Sequence, residues 1–388
     1  MKSKLNYLPK QYQENKIHKI NHSYLVEQFF DYKKIFSKIE KIVKQGDYTL
    51  GNEVNRFEKN LSKRMGSKHT IAVGNGTDAL YLVLKAFNIG RGDEVITTPF
   101  TFIATIASIV TAGAKPVFVD IKSDYNIDEK KIEKAITKKT KAIMPVHWAG
   151  RPCELDKIRK IANKHKLKII QDSCHAIDSR FRNKHIVSYG DACTFSLHPL
   201  KNFNVWGDGG FILTQNSDLA KKLFLLRNHG LINRNTCEVF AYNSRLDTIQ
   251  AAVANYKLKN KLTNITNKRI RNAFLLDKYL KNIDEVATIK RKNYLKEVFH
   301  LYKLNVKHHR DGLIKFLNKN GIDAKVHYPK PIHLQPAAKF LKYRRGDFPI
   351  AEKSANTTLS LPVHEFINVN QIKFTANKIR DFYKKLSE

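Results

Sequence analysis

Lys201, Asp172 and the turn Gly74-Asn75-Gly76-Thr77-Asp78 are the residues whose types and settings suit chemistry. The turn follows a short apolar run at 70–73 and leads into a helical stretch. Glycines in such a turn let the backbone approach an anion, and the start of the helix offers free N–H groups and a positive dipole end. The same residues would also serve a tight strand-to-helix turn with an N-cap. No Gly-Lys-Ser/Thr follows, so this is not a P-loop, and the spacing is not that of a dinucleotide fingerprint. Asp172 stands just past another apolar run, 167–170, with His175 three residues on. A carboxylate in that place can pair with a protonated ring nitrogen. It can also cap a helix, with His175 packed behind it. Lys201 lies in Ser196-Leu197-His198-Pro199-Leu200-Lys201-Asn202, ahead of Gly207-Asp208-Gly209-Gly210. Burial beside a cationic group would lower its pKa and free the amine as a nucleophile. Ser196 could reach the same anion as the glycine turn.

The elements that must position these residues alternate. Short apolar runs at 70–73, 94–97, 116–119, 141–146, 167–170, 192–196 and 210–214 are separated by helical stretches at 78–87, 102–112 and 154–165. Such strands imply a mainly parallel sheet flanked by helices on both faces, an α/β fold. Ligands on open sheets of this kind bind beyond the carboxyl ends of the strands, where the three segments fall. A phosphate turn, then an Asp, then a Ser-to-Lys segment is, in order, what a pyridoxal-phosphate site of fold type I requires. Before the sheet, 23–45 and 53–65 read as helices. After it, a Lys-rich helical stretch at 247–282 leads to strands at 302–306 and 325–327 around a helix at 310–320, a smaller C-terminal α+β domain. The expected division is a large domain over 1–250 and a small one over 251–388, with the N-terminal helix able to pack on the small domain.

Composition narrows the function classes. The formal net charge is +35, from 70 Lys+Arg against 35 Asp+Glu. The lysines are spread through nearly every segment instead of forming a stripe, so nucleic acid is not the expected partner. A positive field would help collect a diphosphate-bearing substrate. No apolar run is long enough to span a bilayer. Met1-Lys2-Ser3-Lys4 leads into no apolar signal core, so a cytoplasmic protein is expected. Cys153, Cys174, Cys193 and Cys237 form no CxxC pair and no metal-ligand spacing, and no metal is expected.

The chain resembles the sugar aminotransferases of the DegT/DnrJ/StrS type over nearly its whole length. The resemblance rests on Gly46-Asp47-Tyr48-Thr49-Leu50-Gly51, Gly74-Asn75-Gly76-Thr77-Asp78-Ala79-Leu80, Thr98-Pro99-Phe100-Thr101-Phe102 and Asp172-Ser173-Cys174-His175-Ala176. Its most specific part is the segment from Phe195 to Gly210. Arg227-Asn228-His229-Gly230, Tyr242-Asn243-Ser244-Arg245-Leu246, His327-Tyr328-Pro329, His333-Leu334-Gln335-Pro336 and Leu359-Ser360-Leu361-Pro362 follow in order. Leu197, Leu200 and Val205-Trp206 depart from the usual pattern, as changes in packing or substrate shape, and Gln171 stands where an acidic residue is common, which would alter the field around the ring.

The resemblance implies an enzyme that uses pyridoxal phosphate, and pyridoxamine phosphate in turn, to carry an amino group from an amino acid, usually glutamate, to a nucleotide-linked keto-sugar. Lys201 would attach the cofactor and move the proton; Asp172 would pair with the pyridine nitrogen. Phe102 would stack on the ring, and His175 would lie by its hydroxyl. Ser196 with Gly76, Thr77 and Asp78 would hold the phosphate. Asn243 would reach the neighbouring subunit's phosphate site, giving a homodimer with shared active sites. His327, Tyr328 and His333 would lie near the sugar-nucleotide entrance. Relatives with His in place of the lysine carry out dehydration; Lys201 is present here. A cyclitol or other carbonyl substrate, and a regulator that keeps the cofactor without turnover, are the alternatives, with a basic nucleic-acid-binding protein a distant one.

Overall fold

A computed structural model of the chain describes residues 18 to 387, so the stretch at Met1-Lys2-Ser3-Lys4 lies outside it. The central sheet has seven strands: β1 (His69–Val73), β2 (Glu94–Thr97), β3 (Lys115–Phe118), β4 (Thr140–Ile143), β5 (Lys168–Asp172), β6 (Ala192–Ser196) and β7 (Gly210–Thr214). Their spatial order is β1-β7-β6-β5-β4-β2-β3. The strands from β6 across to β3 pair in parallel, and β7 is antiparallel to both neighbours. All residues of β2 and β7 are buried, as expected of strands covered on two faces. The register places Gly210 opposite both Val73 and Ser196, so β7 brings the end of β1 and the end of β6 to one edge.

The helices around this sheet are α1 (Lys33–Gln45), α2 (Asn52–Met65), α3 (Gly76–Ala86), α4 (Ile103–Thr111), α5 (Leu155–Lys164), α6 (Ser217–Leu226) and α7 (Thr248–Asn260). α3 buries Ala79, Leu80, Leu82, Val83 and Leu84, most of its circumference, because it lies under α4 and α6 against the sheet. A second core gathers α8 (Leu262–Leu280), an antiparallel sheet of β8 (Val286–Thr288), β9 (Tyr302–Val306) and β10 (Thr358–Leu361), and the helices α9 (Arg310–Lys319) and α10 (Val369–Ser387).

Three expectations are corrected. The helix expected over 23–45 is helical as α1 only from Lys33, after a 3₁₀ turn at Glu27–Phe29. Upstream the chain is tied to the second core instead: Ile20 N–H donates to Gly321 O at 2.9 Å, His22 N–H to Asp323 Oδ2 at 3.0 Å, and Tyr24 Oη to Glu365 Oε2 at 2.7 Å. It is this strap that packs on the second core, while α1 buries Ile35 in the first. The strand expected at 325–327 is a single bridge from Lys325 to Ser360, and the His327 carbonyl is taken by Lys303 Nζ instead of by a ladder partner. The division expected after residue 250 falls inside α7, whose Ala251, Val253 and Ala254 belong to the first core. The changeover runs along α8, from Leu262 in the first core to Leu276 and Leu280 in the second.

Candidate active site

The glycine turn is built for close approach. Asn75 caps α3 by accepting the Asp78 N–H at 2.8 Å. The Ser244 hydroxyl donates to Asp78 Oδ2 at 2.7 Å and accepts the Gly74 N–H at 3.1 Å. The N–H groups of Gly76 and Thr77, first in the helix, have no intrahelical partners. A Cβ on Gly76 would stand 2.8 Å from Ser196 Cβ and 3.1 Å from Cys174 Sγ; one on Gly210 would stand 2.4 Å from Asn75 O. Glycine at these two positions is what lets the turn sit against the end of β6. Ser196 Oγ accepts the His198 N–H at 3.2 Å from the other side.

Asp172, buried at the end of β5, is held on both oxygens. Thr105 Oγ1 donates to Oδ2 at 2.7 Å, and the Cys174 N–H donates to Oδ1 at 3.2 Å. The Thr105 hydroxyl has one proton, spent on Asp172, so the 2.8 Å contact with Thr101 Oγ1 is a donation from Thr101. Behind the carboxylate, the His147 ring is fixed by Gln171 Oε1 at 2.8 Å and the Cys153 N–H at 3.0 Å, and burial lowers its pKa to about 4. The His175 ring lies 5.2 Å from Trp148 and 4.2 Å from His300. Its Nδ1 is buried without a partner among the described residues. Burial, then Lys201, His327 and Lys303, hold its pKa well below the usual histidine range.

Lys201 sits in the loop between β6 and β7. Burial lowers its pKa, with Cys174 and Asp172 pulling the other way. Its Nζ makes no hydrogen bond or ion pair among the described residues, so an amine biased toward its nucleophilic form is left unengaged. The loop is closed by Asn204, whose Nδ2 donates to Pro199 O and, at 2.6 Å, to Gln28 Oε1. Lys257, fully buried in α7, donates to Asn204 Oδ1 and, at 2.8 Å, to Gln28 Oε1.

A small cavity is lined by Cys174, His175, Ser196, Lys201 and Asn202. Gly76 joins this group by its contact with Ser196 and Cys174. Asp172 joins it through the Cys174 N–H. Phe102 stands half-exposed at the start of α4, its ring 5.9 Å from Tyr328, which in turn lies 5.2 Å from Trp148. Thr77 is exposed beside the turn. His327 lies deeper, its Nδ1 3.0 Å from Ser360 Oγ. His333 is engaged elsewhere, with Nε2 3.0 Å from Glu352 Oε1 and its ring 4.8 Å from Phe348. Asn243 is exposed, at the base of an arm running from 231 to 243. Nothing in the sequence signals the roles of Thr101, Thr105, Trp148, His300, Asn204 and Lys257, because each is set by a partner far along the chain or by burial that residue type and spacing do not encode. No group of three or more metal-ligating side chains occurs among the described residues.

Residues 31–380 match the DegT/DnrJ/EryC1/StrS aminotransferase family. The chain belongs to that family. A pleiotropic regulatory protein of Geobacillus stearothermophilus is 40% identical over 93% of this chain and 97% of its own length. The dTDP-3-amino-3,6-dideoxy-alpha-D-galactopyranose transaminase of Aneurinibacillus thermoaerophilus is 37% identical over 90% of this chain and 95% of its own. Among solved structures, NtdA of Bacillus subtilis, with pyridoxamine phosphate (PMP) as bound cofactor, superposes with a TM-score of 0.86 at 30% identity, covering 96% of this chain and 89% of NtdA. The DegT/DnrJ/EryC1/StrS aminotransferase fold is thus present nearly end to end, with the mainly parallel sheet of fold type I.

Proposed function

We propose that this chain is a pyridoxal-phosphate-dependent aminotransferase that moves an amino group from an amino acid, glutamate in the first instance, to a keto-sugar carried by a nucleotide. One observation carries the reading: the unengaged amine of Lys201, the doubly held carboxylate of Asp172 and the cradle at Gly76 and Ser196 meet at one edge of the sheet. These residues fit the cofactor. The open side of the turn suits a phosphate, Asp172 suits a pyridine nitrogen, and the unpartnered Nδ1 of His175 suits a polar edge of the ring. When bound, pyridoxal phosphate supplies an electron sink for the bond broken at the substrate carbon.

The chain's own residues do the rest. Lys201 would hold the cofactor through its amine and, once freed by the donor, would take the proton from the donor carbon onto Nζ and give it back on the far side of the donor nitrogen. Asp172, pinned by Thr105 and Cys174, keeps its carboxylate aimed without reorganising. The first N–H groups of α3 and the Ser196 hydroxyl hold the phosphate, with Thr77 and Asp78 at its rim. Phe102 covers one face of the ring and limits water. Tyr328, beside Phe102, and His327 face the sugar side, while His333 is tied to Glu352 and takes no part there.

We place the working unit as a homodimer with shared active sites. In support, the arm from 231 to 243 exposes Ile232, Val239, Phe240 and Tyr242, with Phe240 98% exposed, an apolar cluster of the kind that marks a protein interface. Asn243, exposed at the base of that arm, would enter the partner's phosphate site. Four unbridged cysteines support a reducing, cytoplasmic setting, and no described helix is long and apolar enough to cross a membrane.

The test is the absorption spectrum of the purified protein with pyridoxal phosphate, before and after glutamate. The expected result is a visible band that converts to the pyridoxamine form. Lys201→Ala should lose that conversion and turnover while still binding pyridoxamine phosphate. A regulatory reading has the name of the 40%-identical relative in its favour. It requires the band without the conversion, and it is contradicted if a keto-sugar nucleotide is aminated.

A further inference from the structure

Next to the Lys201 loop lies a second cavity of about 90 Å³, between the strap at 20–28 and the second core. Leu200 forms part of its wall, and His300, which reaches back to His175, forms another. Its other polar lining includes His22, Arg269, Lys325, His327 and His364, and no carboxylate is among its described lining residues. The acids behind it are already engaged. Glu365 accepts from Tyr24 and lies 3.4 Å from Arg269 Nε; Asp323 accepts the His22 N–H and lies 3.2 Å from Lys325. His22 Nδ1 is buried without a partner among the described residues. The wall therefore has donors and positive charge in excess of its acceptors.

We propose that this cavity is a carboxylate subsite for the amino donor, in which Arg269, Lys325, His22 and His327 hold a donor carboxylate while Lys201 acts on the donor carbon. The proposal rests on the aminotransferase reading above. The size suits it: the cavity takes a carboxylate on a short carbon chain and is too small for a nucleoside diphosphate. The electrostatics point the same way. His22, its pKa lowered to about 4 by burial, is raised by Asp323 and lowered by Lys325 and Arg269. His300 and His327 are held down by burial and by their neighbours, which include Lys201, Arg269, Lys303 and Lys325. His364 is held down by burial, Arg269 and His22. An anion inside opposes the part of that depression that comes from the lysines and Arg269, which shifts the imidazoles toward protonation and tightens binding as pH falls.

The probe is glutarate, a dicarboxylate with no amine to react, titrated into the holoenzyme by calorimetry across pH. Wild type should bind it in competition with glutamate and take up protons. Lys325→Met and His22→Leu should each weaken it roughly tenfold, the loss of a hydrogen bond to a charged group, and His22→Leu should flatten the pH dependence. Binding of UDP and dTDP should not change. Lys325 keeps a third of its side chain in solvent, so its replacement spares the fold. Unchanged glutarate binding in both variants overturns the proposal, as does loss of nucleotide binding with glutarate binding intact. Half-reactions then separate the two carboxylates. A loss with glutamate but not alanine assigns the side-chain carboxylate, an equal loss assigns the α-carboxylate, and no loss with either overturns the subsite while the aminotransferase reading stands. A wild type that converts with no amino acid removes that reading instead, and the glutarate titration still decides the cavity.

Discussion

Thr105 Oγ1 donates to Asp172 Oδ2 across 2.7 Å, from the first turn of α4 to the end of β5. This bond fixes the carboxylate from the side opposite the Cys174 N–H, and Thr101 completes it by donating to Thr105. A threonine relay thus connects the loop that carries Phe102 to the acid that faces the cofactor ring.

Removing the relay should cost rate and not affinity. Thr105→Val keeps the shape and loses both hydrogen bonds of the Thr105 hydroxyl, of which the one to the Asp172 carboxylate is worth about 1.5–3 kcal/mol, so kcat should fall roughly tenfold or more. KM for both substrates and the dissociation constant for pyridoxal phosphate should change little. Steady-state kinetics with cofactor titration checks this, and a defect confined to cofactor binding would contradict it.

Gly76→Ala should weaken the cofactor. The added carbon meets Ser196 Cβ at 2.8 Å, and Ser196 is a strand end with little room to yield. Overpacking of this kind costs about 1–3 kcal/mol. The titrated affinity for pyridoxal phosphate should fall roughly tenfold or more, and the melting temperature of the apoprotein should drop.

Lys257 gives a pH prediction. Burial lowers its pKa from 10.5 to about 7, Glu365 works against that, and Arg269 and Lys261 add to it. Between those values the unfolded chain binds more protons than the folded one, so this group makes the fold more stable as pH rises from about 7 toward 10.5. Lys257→Met removes the dependence and leaves Asn204 Oδ1 without its donor, while Gln28 Oε1 keeps the Asn204 Nδ2 bond. The melting temperature of wild type should therefore gain on that of the variant as pH rises through this window. A gap that narrows instead would show that Lys257 is not held neutral-leaning in the fold.

The arm at 231–243 predicts assembly. Phe240→Asp should shift the protein toward monomers in sedimentation and reduce turnover with them, while Asn243→Ala should weaken the cofactor phosphate and leave the dimer intact. A dimer undisturbed by Phe240→Asp would place the interface elsewhere.

Much of the fold was legible in the sequence. β2, β6 and β7 fall where short, largely apolar runs between turn residues put them, because a strand covered on both faces is mostly apolar. Helical periodicity misled at 23–32: Leu25, Phe29 and Phe30 are spaced for a helix, yet Tyr24 and Gln28 bond to Glu365 and Asn204, far along the chain. Periodicity carries no information about such partners. Lys201 was legible only through the order of its surrounding motifs, since one lysine among 70 basic residues carries little signal. Thr105 and Lys257 were not, because a threonine at the start of a helix and a lysine within one look the same whether they face solvent or a buried polar group.

The place of β7 has a consequence for biosynthesis. It is the last strand of the central sheet to leave the ribosome, yet it lies inside the sheet, between β1 and β6. Until residue 214 has emerged, β1 and β6 each present an open edge, and the glycine turn and the Ser196–Lys201 segment belong to separate pieces of a half-built layer. Insertion of β7 closes both edges and assembles the cofactor cradle in the same step. A nascent or truncated chain ending before it would display two sticky strands and hold no cofactor.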